Sequence, residues 1–224
     1  MLKQTTTATL LIVLASTLPG TLLAADNRIS ANIESMDVIH NGQTVTIQRG
    51  HDRDATLPAM FQKTDRGCPP FCVQPIVAHP GVGTIGELEV LDYLNRKSKG
   101  DNSILIVDSR TPDWVMRGTV PGSMNIPWNM ISSDAAGTFE TPEQAEALQQ
   151  ILADEFNGSF DAEKGTWDFT NAKTLILFCN GIWCGQSTDN IKTLVDLGYP
   201  VHKLKWYRGG MQDWVSVGLT TVKP

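Results

Sequence analysis

The stretch Thr174-Leu-Ile-Leu-Phe-Cys-Asn-Gly-Ile-Trp-Cys-Gly-Gln-Ser187 decides the fold of this protein. Its apolar run up to Phe178 is typical of a short strand that is buried on both faces of a parallel sheet. Ser187 is predicted to be the N-cap residue of a helix, because apolar side chains recur at helical spacing after it. Strand, loop and helix in this order predict an α/β fold, with the loop at the carboxyl end of the strand, where ligands bind in such sheets.

The loop that begins at Cys179 is suited to stabilise an anion. Backbone N–H groups between a strand and a helix N-terminus point inward, and the helix dipole adds to their effect. Gly181 and Gly185 are expected to let the loop fold its amides around one sulfur atom. Such surroundings lower the pKa of a cysteine, and its thiolate is the reactive form. Cys179 is therefore a candidate nucleophile, with a buried packing cysteine as the alternative.

Three further segments extend the predicted sheet. Ile104 to Val107 is a second continuous apolar run, and Val201 to Lys205 is predicted to be a third short strand. Val120 to Pro127 is predicted to be extended. The alternation of strands with helices indicates a mostly parallel central sheet with helices on both faces.

Capping boxes mark the predicted helices. Thr84 and Thr141 are the expected N-cap residues of helices over residues 85–96 and 142–155. The second helix either covers part of the site or is a solvated surface helix. Residues 157–170 are predicted to form a loop.

The beginning of the chain has the pattern of an export signal. A short positive region containing Lys3 precedes the apolar segment Ala8 to Leu18, and small residues follow at Ala24 and Ala25. We therefore predict a signal peptide over residues 1–25 and a periplasmic or secreted protein. The alternative, an uncleaved anchor, is disfavoured because the apolar segment is shorter than a membrane span. No stable membrane insertion is expected after cleavage.

Residues 26–83 are predicted to form an extension before a main domain at residues 84–224. Within the extension, Met36–His40 and Gln43–Ile47 flank Asn41-Gly42. Asn-Gly is the strongest two-residue hairpin signal, so this segment predicts a β-hairpin.

The sequence Cys68-Pro-Pro-Phe-Cys72 holds two of the four cysteines. An exported protein can form disulfides, and a local disulfide would pin the extension onto the domain. The other interpretations are a redox pair and half of a metal site. Zinc usually needs four ligands, and only His79 is close in sequence, so no metal is expected.

Cys184 lies inside the loop and has three interpretations. It is a resolving cysteine that forms a disulfide with Cys179, or it is itself the nucleophile, or it packs in the core. Its neighbour Trp183 is expected to face solvent and to line an apolar surface for an acceptor or partner.

The chain from about Thr84 to Thr221 resembles a rhodanese domain. Five motifs carry the resemblance, with Thr119 where a histidine is usual in the second. In chain order they are Ile104-Leu-Ile-Val-Asp108-Ser-Arg110, Gly118-Thr-Val-Pro-Gly-Ser-Met-Asn-Ile-Pro127, Leu175 to Cys179, Leu197-Gly-Tyr199 and Gly209-Gly-Met-Gln-Asp-Trp214.

The resemblance implies a sulfurtransferase that carries sulfane sulfur as a persulfide on Cys179. Asp108 and Arg110 would form an architectural ion pair near the site. The partners would be a small sulfur donor and a thiol or protein acceptor, and no cofactor would be required. The backbone amides of the loop would cradle the persulfide, namely those of Asn180, Gly181, Ile182, Trp183, Gly185, Gln186 and Ser187.

The loop departs from the family pattern in its charge. No Lys or Arg lies between Cys179 and Ser187, and Arg208 is the nearest basic residue expected to bind an anionic donor. The absence of arginine also argues against related phosphatases, which need it for phosphate. The net charge of −6, with no basic stripe, argues against nucleic acid binding. The alternative functions are a thiol–disulfide redox protein and a non-enzymatic binding module.

Overall fold

The strands and helices follow the predicted alternation. The computed structural model describes residues 27–132 and 141–224, so the predicted signal peptide lies outside the described residues. The strands are β1 (Met36–His40), β2 (Gln43–Ile47), β3 (Gly83–Ile85), β4 (Ile104–Asp108), β5 (Met124–Asn125), β6 (Ser159–Asp161), β7 (Thr166–Asp168), β8 (Thr174–Phe178) and β9 (Leu204–Tyr207). The helices are α1 (Ala59–Gln62), α2 (Glu87–Ser98), α3 (Pro112–Val115), α4 (Pro142–Gln150), α5 (Gln186–Asp196) and α6 (Gly210–Ser216).

A central sheet of five strands has the order β3-β9-β8-β4-β5, and all of its neighbouring pairs are parallel. The strand that leads to Cys179, β8, lies in the middle between β4 and β9. Because parallel strands end at the same edge, the residues after β4, β8 and β9 meet there. The predicted α/β architecture is confirmed.

The side chains of β4 and β8 alternate between two hydrophobic clusters. Ile106 and Ile176 belong to the cluster that also contains buried residues of α2, α6 and the extension. Val107 and Leu177 belong to the cluster that contains buried residues of α4 and α5. Helices therefore cover both faces, which explains why these strands are apolar throughout.

The helix expected at residues 85–96 begins later than predicted. Gly83–Ile85 is instead the edge strand β3, paired with β9, and α2 starts at Glu87 after the N-cap residue Gly86. The Glu89 carboxylate accepts a hydrogen bond from the Gly86 amide at 3.0 Å, so the capping interaction lies two residues further along the chain. Thr84 is not the N-cap residue, because tertiary pairing with β9 holds it in the sheet.

Two other predictions about local structure were wrong. Residues 157–170, expected to be a loop, contain the antiparallel hairpin of β6 and β7. Val201–Lys203 forms a 3₁₀ turn, and the third strand is displaced to Leu204–Tyr207, where it pairs with β8. Three-residue strands such as β6 and β7 are too short to show a clear period in the sequence.

The helix predicted at residues 142–155 is confirmed, although its last five residues, Ile151–Glu155, continue α4 as a π-helix. Its buried residues Leu148 and Leu152 belong to the cluster opposite the one that contains Cys179. The helix therefore packs on the far face of the sheet and does not cover the cysteine loop.

The predicted hairpin of the extension is confirmed at its predicted bounds, with β1 and β2 antiparallel. Asn41 and Gly42 form the turn with φ values of 48° and 77°, the left-handed region that an Asn-Gly turn requires. The hairpin packs on α2 through Val38, which is 2% exposed. Within the described residues, no helix is both long and apolar enough to cross a membrane.

Candidate active site

Cys179 is the first residue after β8, at the carboxyl edge of the central sheet. The loop reaches α5 through the N-cap residue Gly185, so α5 begins at Gln186. Ser187 was predicted to be the N-cap residue, but it lies in the first turn of the helix, and its hydroxyl points to the cysteine. Cys179 is only 3% exposed, so this candidate nucleophile lies beneath the protein surface.

A chain of hydrogen bonds directs the Ser187 hydroxyl at the sulfur. The Trp206 indole N–H donates to Ser187 Oγ at 3.1 Å, and Ser187 Oγ donates to Cys179 Sγ at 3.5 Å. An indole nitrogen can only donate, so Trp206 occupies an acceptor position of the serine and leaves its proton for the sulfur. Ser187 and Trp206 are both fully buried, which protects this arrangement from competing water.

The surroundings of Cys179 favour its thiolate. Burial raises the pKa of this thiol, but hydrogen bonds from the Cys184 thiol, the Ser187 hydroxyl and the backbone amides of Ser187 and Gly181 outweigh it. The pKa of Cys179 is therefore below its ordinary value. Of the amides in the predicted cradle, those of Ser187 and Gly181 contribute to this lowering of the pKa.

Cys184 is in contact with Cys179, and both cysteines are free thiols. The hydrogen bond to Cys179, together with burial and the nearby negative charge, raises the pKa of Cys184. Cys184 therefore keeps its proton and can donate it to the Cys179 thiolate or to Gln186 Oε1 at 3.4 Å. These opposite directions place the thiolate on Cys179 and the proton on Cys184.

Backbone amides at the N-terminus of α6 form hydrogen bonds with the cysteine loop. The amides of Met211 and Gln212 donate to the carbonyls of Cys179 and Asn180 at 3.0 and 2.9 Å. Gly210 allows this close approach, because a Cβ atom there would lie 2.3 Å from the Cys179 carbonyl oxygen. The Gly-Gly motif of the sequence therefore positions the backbone of Cys179.

The space around Gly181 explains its lack of a side chain. A Cβ atom at Gly181 would lie 2.9 Å from Gln212 Oε1, and its φ is not left-handed. Gln212 Oε1 also accepts the indole N–H of Trp183 at 2.7 Å. Gly181 is needed for close packing rather than for the conformational freedom that the sequence suggested.

Asp108 and Arg110 form the predicted ion pair. Arg110 Nη2 lies 2.6 Å from Asp108 Oδ2, and the two side chains are 1% and 0% exposed. Thr119, at the position where a histidine is usual, donates to the same Oδ2 at 2.6 Å. Arg110 also donates to the Gly118 carbonyl at 2.8 Å, so the pair ties β4 to the following loop.

Trp183 does not face solvent as predicted, because the extension covers it. The Arg66 guanidinium lies over its ring with Cζ 3.8 Å from the centroid. Phe71 packs edge-on, with 5.6 Å between ring centroids, and leaves Trp183 only 8% exposed. We call residues 66–75 the cover segment, since they lie on the cysteine loop.

Arg208 does not bind at the cysteine as predicted. It donates to the carbonyls of Gln74 and Pro75 at 2.8 and 2.9 Å, which holds the cover segment in place. The Gln74 amide in turn donates to the Ile182 carbonyl at 2.8 Å. Arg208 therefore acts on the cysteine loop through the cover segment.

The remaining predicted residues have different surroundings. Asn180 is 3% exposed and its side-chain Oδ1 has no hydrogen-bond partner, whereas Ile182 is 37% exposed. Cys68 and Cys72 are joined as a disulfide within the cover segment. Among the described residues, no group of three or more His, Cys, Asp or Glu side chains could hold a metal ion.

The sequence interpretation singled out Cys68 and Cys72 of the cover segment but missed its other residues and the role of Trp206. Arg66, Phe71 and Gln74 precede Cys179 by more than a hundred residues, and no sequence pattern links them to it. The ring of Trp206 is buried in a hydrophobic cluster, and its N–H donates to Ser187. The pairing of β8 with β9, which brings the ends of the two strands together, is seen only in the folded chain.

Solved structures with a similar fold are distant from this chain. One is a protein of unknown function from Rhodopseudomonas palustris, described as a possible tyrosine phosphatase, with 20% identity over 65% of this chain and 88% of that chain and a TM-score of 0.40. Another is SseA from Escherichia coli, a 3-mercaptopyruvate sulfotransferase. It is 21% identical, the match covers 59% of this chain and 41% of SseA, and the TM-score is 0.35. This chain therefore spans less than half of SseA.

Sequence comparison gives the family. No curated protein matches this chain. The family described as rhodanese-like domain matches residues 90–217. This region contains β4, β8, the cysteine loop and β9 in the order described above. Because the match takes up more than half of the chain, this protein belongs to the rhodanese-like domain family.

Proposed function

We propose that this protein is a sulfurtransferase that carries sulfane sulfur on Cys179 and passes it to a thiophilic acceptor. The observation that carries the proposal is the buried Cys179 at the end of β8, whose Sγ accepts a hydrogen bond from the Ser187 hydroxyl at 3.5 Å and whose pKa is lowered by hydrogen bonds to its sulfur. Donors that stabilise a thiolate also stabilise the terminal sulfur of a persulfide, because both are anions.

The reaction has two displacement steps. The Cys179 thiolate attacks the sulfane sulfur of the donor, a new S–S bond forms, and the donor leaves with the electron pair of the broken bond. An acceptor thiolate then attacks the outer sulfur, takes it, and releases Cys179 as a thiolate. Ser187 and Gly181 donate hydrogen bonds to the Cys179 thiolate and to the Cys179 persulfide, and Trp206 orients Ser187.

Intact-mass spectrometry of the reduced protein, before and after incubation with thiosulfate, tests this proposal. We expect a gain of one sulfur atom that Cys179→Ser abolishes and Cys184→Ser retains. Thiosulfate is a dianion, and the cysteine loop contains no Lys or Arg that would bind it. A second sulfane donor, an inorganic polysulfide, is therefore tested in parallel. If neither donor adds sulfur to the wild-type protein, the transferase proposal is wrong.

The contact between the two thiols supports a second candidate, a thiol–disulfide redox protein. Cys179 would attack a substrate disulfide, and Cys184 would then release the product by forming a disulfide with Cys179. This candidate predicts a loss of two hydrogens that requires both cysteines, and no gain of sulfur.

We propose further that the protein acts outside the cytoplasm, after cleavage of residues 1–25. In this case the donor would be a small sulfur compound of the envelope or medium, and the acceptor a thiol or a protein. N-terminal sequencing of protein recovered from the periplasm or medium tests the cleavage.

A further inference from the structure

We propose that the cover segment is an autoinhibitory lid over Cys179, that the Cys68–Cys72 disulfide holds it closed, and that reduction of this disulfide opens the site. This inference rests on the proposed function, since it concerns the regulation of the same nucleophile. The acting reagent is a dithiol, because a dithiol is the class of compound that reduces a disulfide and becomes a disulfide itself.

The burial of the nucleophile shows why a lid is needed. Cys179 and Cys184 are 3% and 5% exposed, which leaves no room for a sulfur donor to reach the thiolate in line. Cys179, Trp183 and Cys184 share one hydrophobic cluster with Phe61 of the extension. Phe61 precedes the cover segment, so the extension contributes to the packing around the cysteines immediately before the cover segment begins.

Contacts on both sides of the disulfide attach the cover segment to the loop. Arg66, which precedes the disulfide ring, and Phe71, which lies inside it, both pack on Trp183. After the ring, the Gln74 amide donates to the Ile182 carbonyl at 2.8 Å, and Gln74 Oε1 accepts from Thr188 Oγ1 at 3.2 Å. These partners lie on the loop or on the first turn of α5, so release of the segment uncovers this region.

The attachment has features of a releasable contact. Phe71 is 40% exposed, and its neighbour Val73 is 74% exposed, so the segment lies on the surface rather than within a core. Arg66 Nε is buried without a hydrogen-bond partner, and such an unpaired donor weakens the docked state. Exposed segments with few buried contacts open at low cost compared with the whole fold.

The disulfide keeps the segment docked by restricting its undocked form. It joins residues that are four positions apart, directly before Gln74. A cross-link lowers the entropy of the free segment, and for a ring of this size the loop-closure relation corresponds to roughly a 30-fold effect on the opening equilibrium. Cys68 is exposed, so a reagent in solution can reach it.

The redox step balances with a dithiol as reductant. One thiolate of the dithiol attacks a sulfur of the Cys68–Cys72 bond and forms a mixed disulfide, and the other protein sulfur leaves as a thiolate and takes a proton. The second thiol of the reagent then displaces the protein sulfur. Two protein thiols form, and the reagent ends as a disulfide, so two electrons and two protons pass to the protein.

The test measures the accessibility of Cys179 without any sulfur transfer. The full-length mature protein is treated with iodoacetamide, and the rate of alkylation at Cys179 is followed by peptide mass mapping. We expect the Cys68→Ser/Cys72→Ser double variant to react about 10- to 30-fold faster than the oxidised wild-type protein. Wild-type protein reduced with dithiothreitol and desalted without oxygen should react as fast as the double variant.

A second variant and a matched control keep the proposal open to refutation. Phe71→Ala removes a docking contact and leaves the disulfide intact, so it should also accelerate alkylation. Val73→Ala truncates an apolar side chain of the same segment that points to solvent, and it should leave the rate unchanged. Equal rates for wild type, the double variant and Phe71→Ala would overturn the lid. So would acceleration by Val73→Ala to the same extent, since this would indicate general loosening.

The outcome is independent of the proposed chemistry. If the open variants are alkylated quickly at Cys179 but gain no sulfur from thiosulfate or polysulfide, the lid is supported and the transferase proposal fails. If the wild-type protein gains sulfur as quickly as the open variants, and alkylation does not accelerate, the transferase is supported and the lid fails.

Discussion

Replacement of Gly210 by alanine tests how α6 positions the cysteine loop. Gly210 has a φ of 55°, and a Cβ atom there would lie 2.3 Å from the Cys179 carbonyl oxygen. The left-handed backbone costs alanine about 1 kcal/mol. The clash also moves α6 away from the loop and breaks the hydrogen bonds that the Met211 and Gln212 amides donate, at about 1 kcal/mol each. We expect the free energy of unfolding to fall by about 3 kcal/mol.

Gly198→Ala is the matched control for this variant. Gly198 also has a left-handed φ, of 91°, but a Cβ atom there would meet nothing within 4 Å. This variant should lose only the backbone contribution of about 1 kcal/mol. Urea denaturation followed by tryptophan fluorescence gives both free energies of unfolding. Equal losses from the two variants would show that the contact between α6 and the cysteine loop contributes nothing.

Three further predictions concern the hydrogen bonds of the site. Ser187→Ala removes a donor from the Cys179 thiolate and raises the pKa of this thiol, so the rate of sulfur gain should reach its half-maximum at a higher pH than in the wild-type protein. An unchanged pH profile would contradict this role. Trp206→Phe frees the Ser187 hydroxyl to rotate, so it should also move the pH profile of sulfur gain to higher pH, but by less than Ser187→Ala does. At neutral pH it should slow sulfur gain by about threefold to tenfold. A slower rate with the wild-type pH profile would assign Trp206 to packing alone. Arg110→Met leaves the buried Asp108 carboxylate without its cation, so the free energy of unfolding in urea denaturation should fall by about 3–5 kcal/mol. A loss below about 1 kcal/mol would show that the ion pair is dispensable.

The rate of sulfur gain should depend on pH in a direction that follows from the opposite pKa shifts of Cys179 and Cys184. The lowered pKa of Cys179 makes its thiolate available below the pH range in which an ordinary cysteine ionises. The raised pKa of Cys184 keeps it protonated over the same range. Sulfur gain should therefore rise with pH through the lowered pKa of Cys179 and then level off.

The local parts of the fold could be read from the sequence. The apolar runs at Ile104 and Leu175 predicted β4 and β8, and Asn41-Gly42 predicted the hairpin at its actual bounds. These signals are local, because a buried strand must be apolar on both faces and a tight turn needs left-handed backbone. The position of Cys179 at the end of β8 followed from the same local pattern.

Tertiary structure decided what lies on the cysteine. Thr84 joins the sheet instead of capping a helix, because β9 offers it a hydrogen-bonded edge. Trp183 is buried because Phe71 of the cover segment packs on it, and Arg208 donates to the carbonyls of Gln74 and Pro75 in the same segment. These contacts join residues more than a hundred positions apart and follow no period. The sequence by itself therefore predicted the candidate cysteine and its strand, whereas only the folded chain decided which groups surround its sulfur and which segment covers the cysteine loop.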